Sequence, residues 1–164
     1  MADVTGTYYA NDTDIGYGSQ LLVGQGTSPE TYVAVKAVVE IELGELMAEK
    51  IQRTHLRSLN RHHEYTSGLA DSEPIVVKVN WDPSHGSHNR GGSDGFTLGK
   101  GLLGLQISQA TNNFRAEILI AGAPYNWDFS GKVMGYKPPT IGVNDLLEAE
   151  FTIQPVSDYR GGLA

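Results

Sequence analysis

Cysteine is missing from all 164 residues, which excludes disulfide frameworks, thiolate metal sites and cysteine nucleophiles together. That absence fits assembly in a reducing cytosol. No apolar run approaches a membrane span, and the N-terminus, Met1-Ala-Asp-Val, lacks the basic and apolar regions of a signal peptide. The expectation is a soluble chain that is not secreted by the usual route. Positive charge is scarce as well: 12 Lys plus Arg stand against 19 Asp plus Glu, a net charge of -7, and none of the basic residues precedes Lys36. Such a surface repels a phosphate backbone, because tight nucleic-acid binding draws on clustered Lys and Arg.

What is present is a chain that is 40% hydrophobic, sized for one domain with a real core. Its organising stretch is residues 38–83. Over residues 38–43, Val39, Ile41 and Leu43 fall on one face and Glu40 and Glu42 on the other, the period of two of a sheet with one wet side. Ile75, Val77, Val79 and Trp81 repeat the pattern opposite Lys78 and Asn80, and Asp82-Pro83 stops that strand. A tight hairpin needs only two to five residues. Here roughly thirty intervene, residues 44–73, a surplus that predicts work away from the core. The segment reads as an extended loop with local turns, or as a turn or two of helix on Leu46, Met47, Ile51, Leu56 and Leu59. It also gathers Lys50, Arg53, Arg57 and Arg61 with His55, His62 and His63. Such a run is either a solvated face or a contact surface for an acidic neighbour, another copy of the chain included.

Residues 1–19 are polar and interrupted by Gly6, Gly16 and Gly18, and read as an arm that is floppy unless a partner orders it. Residues 20–164 then form the domain. Residues 20–23 predict a strand, residues 24–30 a turn with Gly26 and Pro29, and residues 32–37 an extended lead into the next strand. After Pro83, residues 84–95 have the composition of a flexible linker. Thr97 is placed to cap a helix carrying Leu98, Leu102, Leu105 and Gln109, with Gly99, Gly101 and Gly104 opposing it. Strand signals return over residues 116–121 and 125–136, the latter with Trp127, Phe129 and Val133 on one face. Residues 147–153 alternate most cleanly, Leu147, Ala149, Phe151 and Ile153 against Glu148, Glu150 and Thr152. Strands joined mostly by short turns predict a mainly β chain: an antiparallel sandwich or partly closed barrel with one short flanking helix and edges that need covering.

No catalytic constellation emerges, and neither a cofactor nor a metal is implied. His85 and His88 with Asp82 sit in a Gly-Ser stretch with no second cluster to complete a metal shell. Glu148 and Glu150 stand about 7 Å apart by strand geometry, but nothing around them resembles a sugar site, and they read as a solvated strand face. Gly24-x-Gly26 leads into Pro and a strand, not a helix, and so lacks the setting of a dinucleotide loop.

The order of several short motifs is more specific than any one of them. Gln20-Leu-Leu-Val-Gly-Gln-Gly is followed by Val38-Val-Glu-Ile, Thr54-His-Leu-Arg-Ser, Glu64-Tyr-Thr-Ser-Gly-Leu-Ala-Asp-Ser and Val79-Asn-Trp-Asp-Pro. Trp127-Asp-Phe-Ser-Gly-Lys-Val, Tyr136-Lys-Pro-Pro and Leu146-Leu-Glu-Ala-Glu-Phe-Thr-Ile follow. This series, over about residues 20–155, resembles the tail tube (major tail) proteins of long, flexible-tailed bacteriophages. It departs from them in a longer arm and in the glycine-rich insert before the helix.

The resemblance implies a structural, non-enzymatic virion protein: a β-sandwich forming hexameric rings that stack into a hollow tube, assembled in the host cytoplasm, through which double-stranded DNA passes without specific binding. Its implied partners are other copies of itself and the tape measure, tail tip and tail terminator proteins, with no membrane. The implied bore acids are Glu40, Glu42, Glu148 and Glu150, and the implied ring-to-ring loop carries Leu46, Lys50, Arg53, Arg57, Arg61, His62, His63 and Glu64. The competing class is a virion-associated β-sandwich module binding carbohydrate or a receptor through exposed aromatics, for which Tyr8, Tyr9, Tyr17 and Trp81 are the available residues.

Overall fold

The computed structural model describes residues 18–54, 63–120, 123–156 and 162–163. Among the described residues, ten strands and one helix follow in chain order. They are β1 (Gln20–Gln25), β2 (Thr31–Ala34), β3 (Val38–Glu42), β4 (Leu46–Gln52), β5 (Tyr65–Ser72), β6 (Ile75–Asn80), α1 (Leu102–Ser108), β7 (Asn112–Ile120), β8 (Ala123–Lys137), β9 (Glu148–Pro155) and β10 (Gly162–Leu163). One antiparallel sheet runs β2-β1-β7-β8-β9-β6-β3, and β10 pairs with the first half of β8. The sheet is rolled so that β1 approaches β3, without closing into a barrel.

The alternation of apolar residues sets the roll. Leu21 and Val23 on β1, Ile75, Val77 and Val79 on β6, Phe114 on β7, Phe129 and Val133 on β8, and Ala149, Phe151 and Ile153 on β9 all face one core. Phe114 stacks on Phe129 with ring centroids 5.5 Å apart, and Tyr136 on Phe151 at 5.0 Å. A buried Leu or Phe contributes roughly 1.5–3 kcal/mol through apolar area removed from water, so the inward row on five adjacent strands holds the sheet in its curl. Trp81 packs against this core and is no exposed platform. The even-numbered residues of β6 and β9 point to the wet side, as their sequence pattern predicts.

One strand departs from its expected alternation. Val38 pairs with Val79 and Glu40 with Lys78, so Val39 is the extra residue of a β-bulge and is 52% exposed. Val38, Ile41 and Leu43, and not Val39, reach the core.

The insert after Pro83 is not the flexible linker that its composition suggests. Gly86, Ser87 and His88 are buried, and His88 is 1% exposed. Its imidazole Nδ1 accepts the Asp82 N–H at 3.0 Å while Nε2 donates to the Lys36 carbonyl at 2.8 Å, which fixes a neutral tautomer. Buried Gln25, at the end of β1, takes the Thr97 N–H on its carbonyl oxygen at 2.9 Å and donates to the Lys100 carbonyl. These bonds tie the insert to β1 and to the β2–β3 corner.

The helix begins at Leu102, not near Thr97, and Leu98 is 75% exposed. The insert caps it with backbone: Leu102 N–H donates to the Ser87 carbonyl at 2.9 Å and Gly104 N–H to the Asn89 carbonyl at 3.4 Å. That docking needs glycine at position 101, where a Cβ would run into the Asn89 and Gly86 carbonyls. Leu102 and Leu105 then bury against the sheet, and Gln109 Nε2 donates to the Val133 carbonyl at 3.1 Å.

Two outcomes follow. Gly101→Ala forces backbone apart and lowers unfolding free energy by about 1–3 kcal/mol in a urea titration. Burial, the largest cause, pushes the His88 pKa below its usual value. The unfolded chain therefore takes up a proton near pH 6.5 that the folded chain refuses. Stability is at its full value above that pH and falls as pH drops from about 6.5 toward the folded value, by up to about 1.4 kcal/mol per pH unit. Thermal melts from pH 7.5 to 5 check this slope, which His88→Gln abolishes.

Candidate functional site

The wet face of the sheet brings together the acidic residues that the sequence singles out, and adds cations between them. Lys78 on β6 lies opposite Glu40 on β3 and opposite Glu150 on β9, and Glu150 lies opposite Lys137 on β8. Four adjacent strands therefore carry a cross-strand row of alternating sign, Glu40, Lys78, Glu150, Lys137. Lys78 Nζ reaches Glu40 Oε2 at 2.9 Å, and this bond, ahead of the nearby Glu150 and Glu42 charges, raises the Lys78 pKa. Glu42 and Glu148 are exposed beside the row. Directly opposed unlike charges stabilise a strand pair and set its register.

Residues 138–147, between β8 and β9, border this face. A cavity of about 560 Å³ lies between them and the row, lined in part by Lys78, Lys137, Asp145, Glu148 and Glu150. The same segment leaves Ile141, Val143 and Leu146 exposed to solvent. On the far half of the sheet, Arg115 makes a two-pronged pair with Asp128 at 2.7 and 3.1 Å while its guanidinium stacks over the Tyr32 ring, 4.2 Å from the centroid.

In its described residues the long segment between β3 and β6 is neither an irregular loop nor a helix, and Leu56 and Leu59 lie outside them. Its described residues form a two-stranded ribbon, β4 against β5, separate from the main sheet. The ribbon prolongs the β3–β6 pair outward. It is rooted by Glu73 N–H on the Glu45 carbonyl at 2.9 Å and by Gln154 Nε2 on the Ser72 carbonyl at 3.0 Å. Pro74 has no N–H to give and interrupts the ladder at the root.

Every residue of β4 is exposed. Leu46, Met47, Ile51 and Tyr65 stand in solvent, and Leu69 is 83% exposed. Lys50 lies over the Tyr65 ring at 3.7 Å. His63 Nδ1 meets Gln52 Nε2 at 2.8 Å, and Glu64 N–H donates to Thr54 Oγ1 at 3.1 Å, next to Arg53. Arg57, Arg61 and His62, with His55, lie outside the described residues, as do Tyr8, Tyr9 and Tyr17. What the basic count misses is the apolar content of the ribbon, which its strand pairing turns outward.

The two insert histidines are already engaged. His85 Nδ1 meets Ser87 Oγ at 2.7 Å, and its Nε2 lies 3.9 Å from Asp94 Oδ2. This is the residue set of a nucleophilic triad, but the Ser87 hydroxyl is fully buried and accepts the Lys36 N–H. It holds the loop and offers no approach to a substrate. Asp82 is bound by Lys36 at 2.6 Å and then by Ser84, which hold its carboxyl well below the usual carboxylate range. Among the described residues no group of three or more His, Asp or Glu side chains is arranged to hold a metal ion, and no helix is long and apolar enough to cross a membrane.

No protein-family model and no curated protein sequence matches the chain. Solved structures match it in fold. A chain in the tail of an empty gene transfer agent particle with C6 symmetry superposes with a TM-score of 0.58 at 12% identity, covering 87% of this chain and 95% of that one. A chain of the six-fold symmetrised anti-feeding prophage baseplate gives 0.63 at 9% identity over 93% and 97%. The SPP1 tail tube gives 0.61 at 9% identity over 93% and 81%. The expected tail-tube-like β fold is therefore present over nearly the whole chain.

Because the ribbon contributes nothing to the core, Leu69→Asp leaves the stability of the isolated chain unchanged within about 0.5 kcal/mol. Urea unfolding followed by tryptophan fluorescence measures this.

Proposed function

We propose that this chain is the structural subunit of a phage tail tube, assembling as hexameric rings that stack into a conduit for double-stranded DNA. One observation carries the reading: its fold matches chains of C6 and six-fold symmetrised tail and baseplate assemblies across nearly their whole length. The chain's own surfaces support it. The sheet ends in two strands, β2 and β3, with free outer edges among the described residues, and free edges are templates for a neighbouring strand. The β4–β5 ribbon presents apolar side chains that the other described residues leave exposed.

In this reading the ribbon, with Leu46, Lys50, Arg53, Arg57, Arg61, His62, His63 and Glu64, contacts the next ring. Glu40, Glu42, Glu148 and Glu150 face the bore. Lys78 and Lys137 neutralise two of those four charges, so the lining repels DNA enough to prevent sticking and is not a uniform anionic wall. Screening confines that repulsion to about 8–10 Å at physiological salt, so residues away from the bore do not enter. The implied partners in assembly are the tape measure, tail tip and tail terminator proteins, and the site of action is the virion tail.

Electron microscopy of the purified chain tests the assembly: rings or tubes support it, and small particles at every concentration tried refute it. Removing residues 46–73 abolishes tubes, and unchanged tube length and yield refutes the ring-to-ring role. Reversing Glu148 and Glu150 to Lys leaves tubes intact but slows DNA ejection from particles at least several-fold. Ejection at the unmodified rate refutes the bore assignment.

A further inference from the structure

The two ends of the sheet are unlike, and strand register says which end is which. Asn80 pairs with Glu148 and Ile75 with Ile153, so the start of β9 lies beside the end of β6 and the start of β3. Residues 138–147, which join β8 to β9, therefore sit at one end of the strands. The β4–β5 ribbon leaves from the other, where Glu42 pairs with Val76. A strand rises about 3.3 Å per residue, so the seven residues of β4 carry the ribbon on the order of 20 Å past its root.

Each end presents apolar side chains that the described residues leave exposed. On the ribbon they are Leu46, Met47, Ile51, Tyr65 and Leu69, and on the opposite segment Ile141, Val143 and Leu146. That segment is anchored at its foot by Trp81 N–H on the Leu147 carbonyl at 2.6 Å. At its tip the Asp145 carboxylate lies so close to Gly142 that a Cβ there would meet it at 2.6 Å. Ile141 and Val143 flank that glycine, and Val143 stands fully in solvent. Charge separates the two ends as well. Residues 138–147 carry Asp145 and no cation. Lys50 and Arg53 are exposed at the outer end of the ribbon, and no carboxylate occurs from residue 50 to residue 63. Ribbon against ribbon would set cations against cations, and segment against segment would set Asp145 against itself. Ribbon against segment joins unlike charges around apolar centres.

We propose that the ribbon of one copy seats on residues 138–147 of a second copy, with the apolar side chains of the two in contact and with Lys50 and Arg53 facing Asp145. Because the two surfaces lie at opposite ends of one chain, the contact is head-to-tail, and each copy that accepts a ribbon offers its own to the next. The inference rests on the ring-to-ring role proposed for the ribbon, and adds the surface that receives it.

The lack of cysteine makes the contact readable by cross-linking, since every thiol is then an introduced one. Leu69→Cys in one chain and Val143→Cys in another are mixed in equal amounts and treated with a short bismaleimide. The control mixture pairs Leu69→Cys with Val156→Cys, a position also exposed but at the ribbon end of β9. Circular dichroism confirms that each variant is folded. The first mixture gives several-fold more cross-linked heterodimer than the control, and adding Asp145→Lys to the Val143→Cys chain lowers that yield. Equal yields in the two mixtures overturn the proposal, and so does a preference of Leu69→Cys chains for one another. Should removal of residues 46–73 abolish tubes while the two mixtures cross-link equally, the ring-to-ring role stands and this receiving surface falls. Tubes that survive that removal overturn both.

Discussion

Backbone pairing at the margins is the constraint from which the rest of this molecule follows. Each interior strand of the sheet is paired on both sides over at least part of its length. β2 and β3 do not share that condition. They are joined by only three residues, which holds them together at one corner, and the β-bulge at Val39 twists β3 at the seam. A bulge at an edge is a common guard against uncontrolled pairing.

The core explains why the sheet can remain open without collapsing. Apolar residues of β1, β6, β7, β8 and β9 converge on a single cluster, and the open end is plugged by Phe96, Leu102 and Leu105 from the insert and the helix. The seven-residue α1 is too short to form independently. It exists because the glycine-rich insert presents the carbonyls of Ser87 and Asn89 to its first N–H groups, and because buried Gln25 and His88 hold that insert in place. Four buried polar side chains, Gln25, Ser87, His88 and Asn112, are each hydrogen-bonded, which makes the insert a fixed part of the interior.

The strands were legible where apolar periodicity was strict. β6, β9 and the inward row of β8 lie where Ile75, Val77 and Val79, then Ala149, Phe151 and Ile153, then Phe129 and Val133 place them. Local composition misled where tertiary contacts override it. Residues 84–95 carry the Gly and Ser content of a linker, yet the buried positions of Ser87 and His88 depend on groups near residue 36, some fifty positions away in sequence. The ribbon was hidden for a different reason. Leu46, Met47 and Ile51 have helical spacing, but Ile51 pairs with Thr66 and Gln52 with Tyr65, and no local pattern announces a strand whose two faces are both wet. The candidate acids were legible as a wet face. Their cationic neighbours became meaningful only once register set Lys78 between Glu40 and Glu150.

That interleaving bears on how a carboxylate-rich face keeps its strands together. Four carboxylates on neighbouring strands, unrelieved, would repel one another and weaken the pairing of β3, β6 and β9. Lys78 relieves that repulsion from within the row, through its bond to Glu40 and its position opposite Glu150. Lys137 extends the relief to β8. Glu42 and Glu148 stay outside the alternating row and keep the face negative. The row is therefore stable as a sheet while the face keeps a net negative charge. A single-sign surface would secure the second property only at the expense of the first.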